Sequence, residues 1–574
     1  MNSRRNSLTP RRSRGLRAAA AIAAATLGIG LVACSPGNSN GDSTAGGDRA
    51  LIALVQEPGV LNHLFSAQSG SELIRAFVQE PMFLISDAGE YTPWLADSIP
   101  TLENGQITEG GTVVTFTIKE NAAWSDGEPF TAEDLAFTVE AIQDPTSVII
   151  ADPEYAAISS TKVIDSKTLE VTFSQPVPSF LNLFQVVLPK HKFDSAQIEQ
   201  SNPQVRLPLG TGPFVLEDWK AGDAITLSRN DNYWVDPELP KLDGVTIKIT
   251  PDRESTMTAF AGGEYDSVFF FTGADFENLT KQEADGAPIV TSISDKPWYV
   301  EWLWLNHSDN GDLSKPHPVL GDPAIREAID RGIDRQAIID DVLGGFGSLT
   351  GSFLYAGVGS VESQPAAYDP KAAEKALDAA GWTPGADGIR EKDGVRASLK
   401  FQTIAGDQVR ELYQQLIQQN MADIGIEIKI ENVPSNRLFD SREQGGLLAS
   451  GNFDMSMTRD GYLPDPATWI SQFTTASIPS ESNPAGISAS WWSNPEYDAL
   501  AQAAAQEMDP AARNELLGQI NTVFTEDRVA LPLYAGINGM AWNSRITGVS
   551  TDSWYSAWTP ESVAHWEVAG ANNG

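Results

Sequence analysis

The chain has 574 residues with 76 acidic and 39 basic side chains, a formal net charge of −37, 41% apolar residues, 15 tryptophans and one cysteine. Such a carboxylate excess repels phosphate backbones and anionic headgroups, which argues against nucleic-acid binding and against a peripheral membrane face. The length corresponds to two to four domains or lobes with large cores, and a single thiol removes disulfide frameworks, CxxC redox chemistry and thiolate zinc sites.

In chain order, the first 33 residues have the parts of an export signal: six arginines (Arg4, Arg5, Arg11, Arg12, Arg14, Arg17), an apolar run over 18–33 and small residues at its end. The run is too short and too rich in alanine for a membrane span. Cys34 directly after Leu31-Val32-Ala33 resembles a bacterial lipobox, whose thiol is acylated before cleavage leaves it as the first mature residue. The alternatives are a secretory signal with an incidental cysteine and a buried free thiol. Two arginine pairs leave both Sec and twin-arginine export open. Cleavage before Cys34 leaves 541 residues and a net charge of −43. The polar stretch that follows is expected to be a flexible tether over 34–49 with a reach of about 20 Å. It contains Gly37-Asn38-Ser39-Asn40-Gly41, a G-x-S-x-G without the flanking strand and helix that a nucleophile elbow needs.

From Ala50 onward short strands alternate with helices, as in an α/β protein. Residues 51–55 read as a buried strand, and the alternation over 113–118 and 169–173 predicts half-buried antiparallel strands. Thr131 with Asp134 reads as a capping box opening a helix whose inner side holds Leu135, Val139 and Ile142. Asp322-Pro323, Asp369-Pro370, Asn494-Pro495 and Asp509-Pro510 each announce a helix, with a capping side chain before a proline at the first position. Residues 408–424 carry Leu412, Leu416, Ile417, Met421 and Ile424 at helical spacing, stop at Gly425 and pass to a strand through Ile426, Ile428 and Ile430. The acid pair Glu526-Asp527 reads as solvated surface.

Residues 124–134 spell WSDGEPFTAED. Further words follow in order: Glu57-Pro58, Leu61-Asn62, VID at 163–165, LPKH at 188–191, GTGPF at 210–214, Arg229-Asn230 with Tyr233-Trp234, GEYD at 263–266, IREAID at 325–330, AAGW at 379–382, Asp465-Pro466 and NPEYD at 494–498. Together they resemble the family 5 extracellular solute-binding proteins, the oligopeptide- and dipeptide-binding receptors of ABC importers, over nearly the whole mature chain.

The resemblance implies an α/β, two-lobed, hinge-closing periplasmic-binding-protein fold with an extra domain inserted in lobe I. By the matching words, lobe I is expected at 50–93, 206–300 and 531–574, the inserted domain at 94–205 and lobe II at 301–530. In peptide-binding relatives a lobe II aspartate, four residues before the proline of the loop matching 459–466, pairs with the peptide amino group. Here that position is Tyr462 and the loop is one residue short, so Asp460 from a shifted backbone, or Asp465, is the alternative acid; Asp465 is otherwise a turn-former. Trp302 and Trp304 share one face of a strand over 298–306 by the two-residue period. They are candidates for cleft walls, with core packing as the competing reading. Tyr534 matches a tyrosine at the hinge return, and Trp491-Trp492 reads as structural.

The resulting expectation is a lipid-anchored extracytoplasmic receptor at the outer face of the bacterial cytoplasmic membrane. It captures peptides or similar small solutes and delivers them to an ABC permease with its cytoplasmic ATPase. It is expected to be a monomer that touches the membrane through its anchor alone, binds no nucleic acid, has no cofactor and no catalytic residue. Nickel and haem receptors occur in the same family, but five scattered histidines, with His191 read as structural, argue against a metal ligand set. The alternative is a non-transporting envelope lipoprotein of the same fold with a sensing or regulatory role.

Overall fold

The computed structural model describes residues 48–569 apart from 67, 87, 150–152, 270–272, 462–463, 482, 484–485 and 554–557. The signal-like segment, Cys34, the tether with Ser39, and Tyr462 lie outside the described residues.

Strand β1 (Arg49–Leu54) is followed by β2 (Ile107–Thr108), β3 (Val113–Thr117), β4 (Ile158–Asp165) and β5 (Thr168–Phe173), with helix α1 (Ala132–Gln143) between β3 and β4. These four later strands make a separate antiparallel sheet, ordered β2-β3-β5-β4. The chain continues through β6 (Phe214–Lys220), β7 (Ala224–Arg229), β8 (Gly244–Ile249), β9 (Ser267–Phe269), α2 (Gly273–Ala284) and the long β10 (Ile289–Leu305). Next come α3 (Pro323–Gly332), α4 (Pro370–Ala379), β11 (Ser398–Gln402), α5 (Gln408–Asp423), β12 (Glu427–Ile430), β13 (Met455–Gly461), α6 (Ala467–Gln472), α7 (Pro495–Ala504) and α8 (Pro510–Asp527). The second long strand, β14 (Ala530–Asn543), then leads back.

Ten strands form one sheet in the order β12-β11-β13-β10-β14-β9-β1-β8-β7-β6. Strands β10 and β14 belong to both of its halves. Residues 289–293 of β10 pair with 539–543 of β14 beside β9 and β1, whereas 299–305 pair with 455–461 of β13 and with 530–536 of β14. The register shifts between Ile293 and Pro297 and again between Pro297 and Tyr299. Two strands therefore cross between two lobes, and their ladder is irregular at the crossing. At this point Gly536 lies under the Tyr299 ring, where a Cβ would stand 1.9 Å from Cζ. Only glycine lets the two strands approach there.

Local chemistry accounts for the helix starts. Thr131 and Asp134 form the capping box, and Asp322, Asp369, Asn494 and Asp509 each accept a hydrogen bond from the first turn behind a proline. Helix α5 departs from expectation at Leu412, which is 56% exposed; its buried side runs through Arg410, Tyr413, Gln414, Ile417 and Met421. Asp527 is half-buried and accepts from Trp492 Nε1 at 3.0 Å, so only Glu526 of that pair is open surface.

The word at 124–134 is a joint. The Asp134 carboxylate accepts from Thr131 N at 2.8 Å, Trp124 Nε1 at 3.2 Å and Lys190 N at 2.9 Å, and His191 Nε2 meets Asp126 at 2.9 Å. The word at 210–214 is another: Gly210 approaches Val78 so closely that a Cβ would stand 1.7 Å from its carbonyl oxygen. Glu80, buried beside it, accepts from Trp94 Nε1, Tyr233 OH and Trp234 Nε1. These bonds tie residues 80–94 to the returning segment at 233–234.

Candidate functional site at the carboxyl ends of the crossover sheet

In open α/β sheets, ligands occupy the crevice beyond the carboxyl ends of the parallel strands. In one lobe the parallel strands are β1, β8 and β9; in the other they are β11, β12 and β13. The end of β13 carries Arg459, Asp460 and Gly461, which pair with Glu301, Val300 and Tyr299 of β10.

Alternation sends neighbouring residues to opposite faces. On one face Trp302 and Trp304 are each 1% exposed. Trp302 stacks edge-on against Trp469, Phe473 and Phe524 at 6.0–6.1 Å, and Trp304 lies 5.4 Å from Phe473. In this conformation both indoles are packing residues of the lobe core, and Trp491 and Trp492 belong to the same cluster. Asp460 is on this face and half-buried. Burial pushes its carboxyl up to about 6, with the Glu301 charge adding to the shift and a hydrogen bond from Gln472 opposing it. Asp465 is 3% exposed and held by both terminal nitrogens of Arg513, while its Oδ1 also caps Ala467 N at 3.0 Å.

On the opposite face Glu301 is fully buried. Arg410 of α5 grips it through Nε to Oε1 at 2.7 Å and Nη2 to Oε2 at 3.3 Å. Arg459 adds a weaker contact, Nε to Oε2 at 3.4 Å, and its guanidinium lies over Tyr299, 4.2 Å from the ring centre. Tyr534 is fully buried between Tyr299 and Tyr413, each ring 6.1 Å away. Desolvation raises the phenol pKa of both Tyr413 and Tyr534 well above its ordinary value, so both stay neutral.

The backbone supplies a further feature. Strand β11 pairs with β13 only at Phe401↔Met455 and Gln402↔Ser456, whereas β10 follows β13 to Gly461. Thr403 reaches the Met457 carbonyl through its hydroxyl at 3.4 Å. From Thr458 to Gly461 the outer edge of β13 has no strand partner among the described residues. Among the described residues, no group of three or more His, Cys, Asp or Glu gathers in metal-binding geometry.

Residues 90–480 match the profile of bacterial extracellular solute-binding proteins, family 5 middle region. The chain belongs to this family. The oligopeptide-binding protein AppA of Bacillus subtilis is 26% identical over 543 residues, covering 91% of this chain and 94% of that protein. NikA from Brucella suis, in complex with Fe(III)-EDTA, aligns with a TM-score of 0.74 at 23% identity, over 90% of this chain and 99% of that one. AppA from Bacillus subtilis in complex with a nonapeptide aligns at 0.68 and 23%, over 91% and 99%. The likeness establishes the two-lobed periplasmic-binding-protein fold.

Within this solute-binding protein, the crossing brings Tyr534 and Asp460 to the same stretch of sheet on opposite faces. Trp302 and Trp304 are in the core, and Asp465 is committed to Arg513. Sequence reading missed Glu301, Arg410 and Arg459. One signal was present: Glu301 interrupts the apolar strand WYVEWLWL at 298–305, and an acid in such a strand needs a buried partner.

Proposed function

We propose that the protein is an extracytoplasmic receptor that closes two lobes over a peptide or a similar small solute and delivers it to an ABC permease with its ATPase. The lobe boundaries are those expected above, Cys34 carries the lipid anchor, and the receptor acts as a monomer. The observation that carries the peptide reading is the open edge of β13 from Thr458 to Gly461. An extended main chain docks on such an edge by strand addition, which recognises any sequence through backbone bonds. AppA, a relative across nearly the whole chain, holds a nonapeptide. Contacts made with both lobes only in the closed form shift the population toward it.

In this reading Asp460 is the partner of the peptide ammonium, and its carboxylate form is required. The ammonium stays charged between pH 5 and 7, because an α-amino group titrates near 7.7–8.0. Asp460 takes up its proton as the pH falls through about 6. Affinity for free peptides is therefore expected to drop between pH 7 and 5, approaching tenfold per unit at the lower end, while N-acetylated peptides show no such slope. Calorimetry on peptides of two to nine residues, after native mass spectrometry for co-purified solute, tests both points. Failure of every peptide to bind would remove the peptide reading, and identical pH slopes for free and acetylated peptides would remove Asp460.

A further inference from the structure

We infer that Glu80 is a proton-operated clasp between the core beneath β1, β7 and β8 and the core of the small sheet β2–β5, and that it tightens this joint when the surroundings turn mildly acid. Glu80 follows the helix Ser69–Val78, whose Leu73, Ile74 and Phe77 belong to the first core. Its carboxylate accepts from Trp94 Nε1 at 2.9 Å, Tyr233 OH at 2.9 Å and Trp234 Nε1 at 2.6 Å, and all three donors are packed in the second core. Glu80 is 2% exposed. Every one of these donors is neutral, and no ion pair reaches the carboxylate among the described residues.

The charged groups around the joint are committed elsewhere. Lys119 lies over the faces of Trp94 and Trp234, 5.6 and 5.4 Å from their ring centres. Arg75 of the preceding helix pairs with Glu72, Trp124 gives its N–H to Asp134, and His191 beyond it meets Asp126. Tyr233 stays neutral, because burial, Glu80 and the more remote Glu561 all raise its phenol pKa. An ionised Glu80 therefore depends on neutral dipoles alone. Burial costs it more than they return and pushes the carboxyl up to about 7. The Thr211 hydroxyl is buried, has no hydrogen bond of good geometry and stands near enough to act on this carboxyl. A hydroxyl can donate to the carboxylate and accept from the protonated acid, so the cage suits both forms. In the unfolded chain the same carboxyl titrates near 4.5. The folded state thus gains on the unfolded one as the pH falls from about 7 toward 4.5, and the gain is lost again as the pH rises.

Urea unfolding of the full chain and of Glu80→Gln between pH 7.5 and 5 provides the test. The ratio of the wild-type to the Glu80→Gln unfolding equilibrium constant is expected to fall roughly 10- to 100-fold over this range. Taking the ratio cancels the other titrating groups, Asp460 included. A constant ratio would overturn the clasp. Hydrogen exchange, corrected to a common intrinsic rate, is expected to slow around Glu80, Trp94 and Trp234 over the same range in the wild type and to stay constant in Glu80→Gln. Slowing confined to other parts of the chain would show that the proton does not act on this joint. Should Glu80→Gln not fold, Trp94→Phe removes one donor to the carboxylate. It is expected to raise the midpoint of the protonated-carboxyl infrared band by about one pH unit, the worth of one hydrogen bond. A midpoint that Trp94→Phe leaves in place would overturn the assignment.

Discussion

Arg513→Met is expected to destabilise the protein by roughly 3–5 kcal/mol, the cost of leaving one buried charge without its partner. Arg513 and Asp465 have side chains only 6% and 4% exposed, and the bidentate contact includes Nη2 to Oδ1 at 2.8 Å. Arg513 also donates from Nε to the Ala504 carbonyl at 3.2 Å, so it joins the end of α7 to the start of α6. Loss of the guanidinium leaves the buried Asp465 carboxylate without its counter-charge. Adding Asp465→Asn is expected to return part of the loss, because a neutral amide costs less to bury than an unpaired carboxylate. Urea unfolding of the three variants provides the measurement. Additive losses in the double variant would show that the two groups do not depend on each other, and Asp465 would again be available as a ligand residue.

Trp302→Ala is expected to cost about 3–5 kcal/mol, as removal of a large aromatic from a packed core does. Affinity for N-acetylated peptides, which do not use Asp460, is expected to stay within about threefold, since the indole packs against Trp469, Phe473 and Phe524, is 1% exposed and acts on the crevice only through Asp460. The opposite pattern, a small stability change with a large loss of binding, would show that Trp302 forms a cleft wall in another conformation. Thermal melting and calorimetry on the same preparation separate these outcomes.

The words that made the family recognisable turn out to be joints. Trp124, Asp134 and His191 lock the small sheet's helix to its flanking loop, and Gly210 admits a close backbone approach to Val78. Such positions tolerate few residues for steric and hydrogen-bonding reasons, so they stay legible as letters. The candidate site residues have no comparable mark. Arg459 and Asp460 stand side by side in the chain as an ordinary charged pair at the end of a strand. Leu412 illustrates the same limit within a helix: its spacing fitted the apolar stripe, yet packing against β11 and β12 took Tyr413 beside the expected Ile417 and Met421 and left Leu412 outside.

Acting over a few residues, the sequence by itself determined where elements begin. Capping side chains before prolines, the capping box at Thr131 and the two-residue alternation of β3 and β5 act within one turn or one strand, so neighbouring letters suffice. The tertiary structure alone decided which charges meet and which backbone edge stays open. Glu301 finds Arg410 across 109 residues and Arg459 across 158, and β11 diverges from β13 after Ser456. Those choices depend on strand register and on parity, where a shift of one residue moves a side chain to the other face of the sheet. Register across such separations is set by the packing of the whole lobe, which no local stretch encodes.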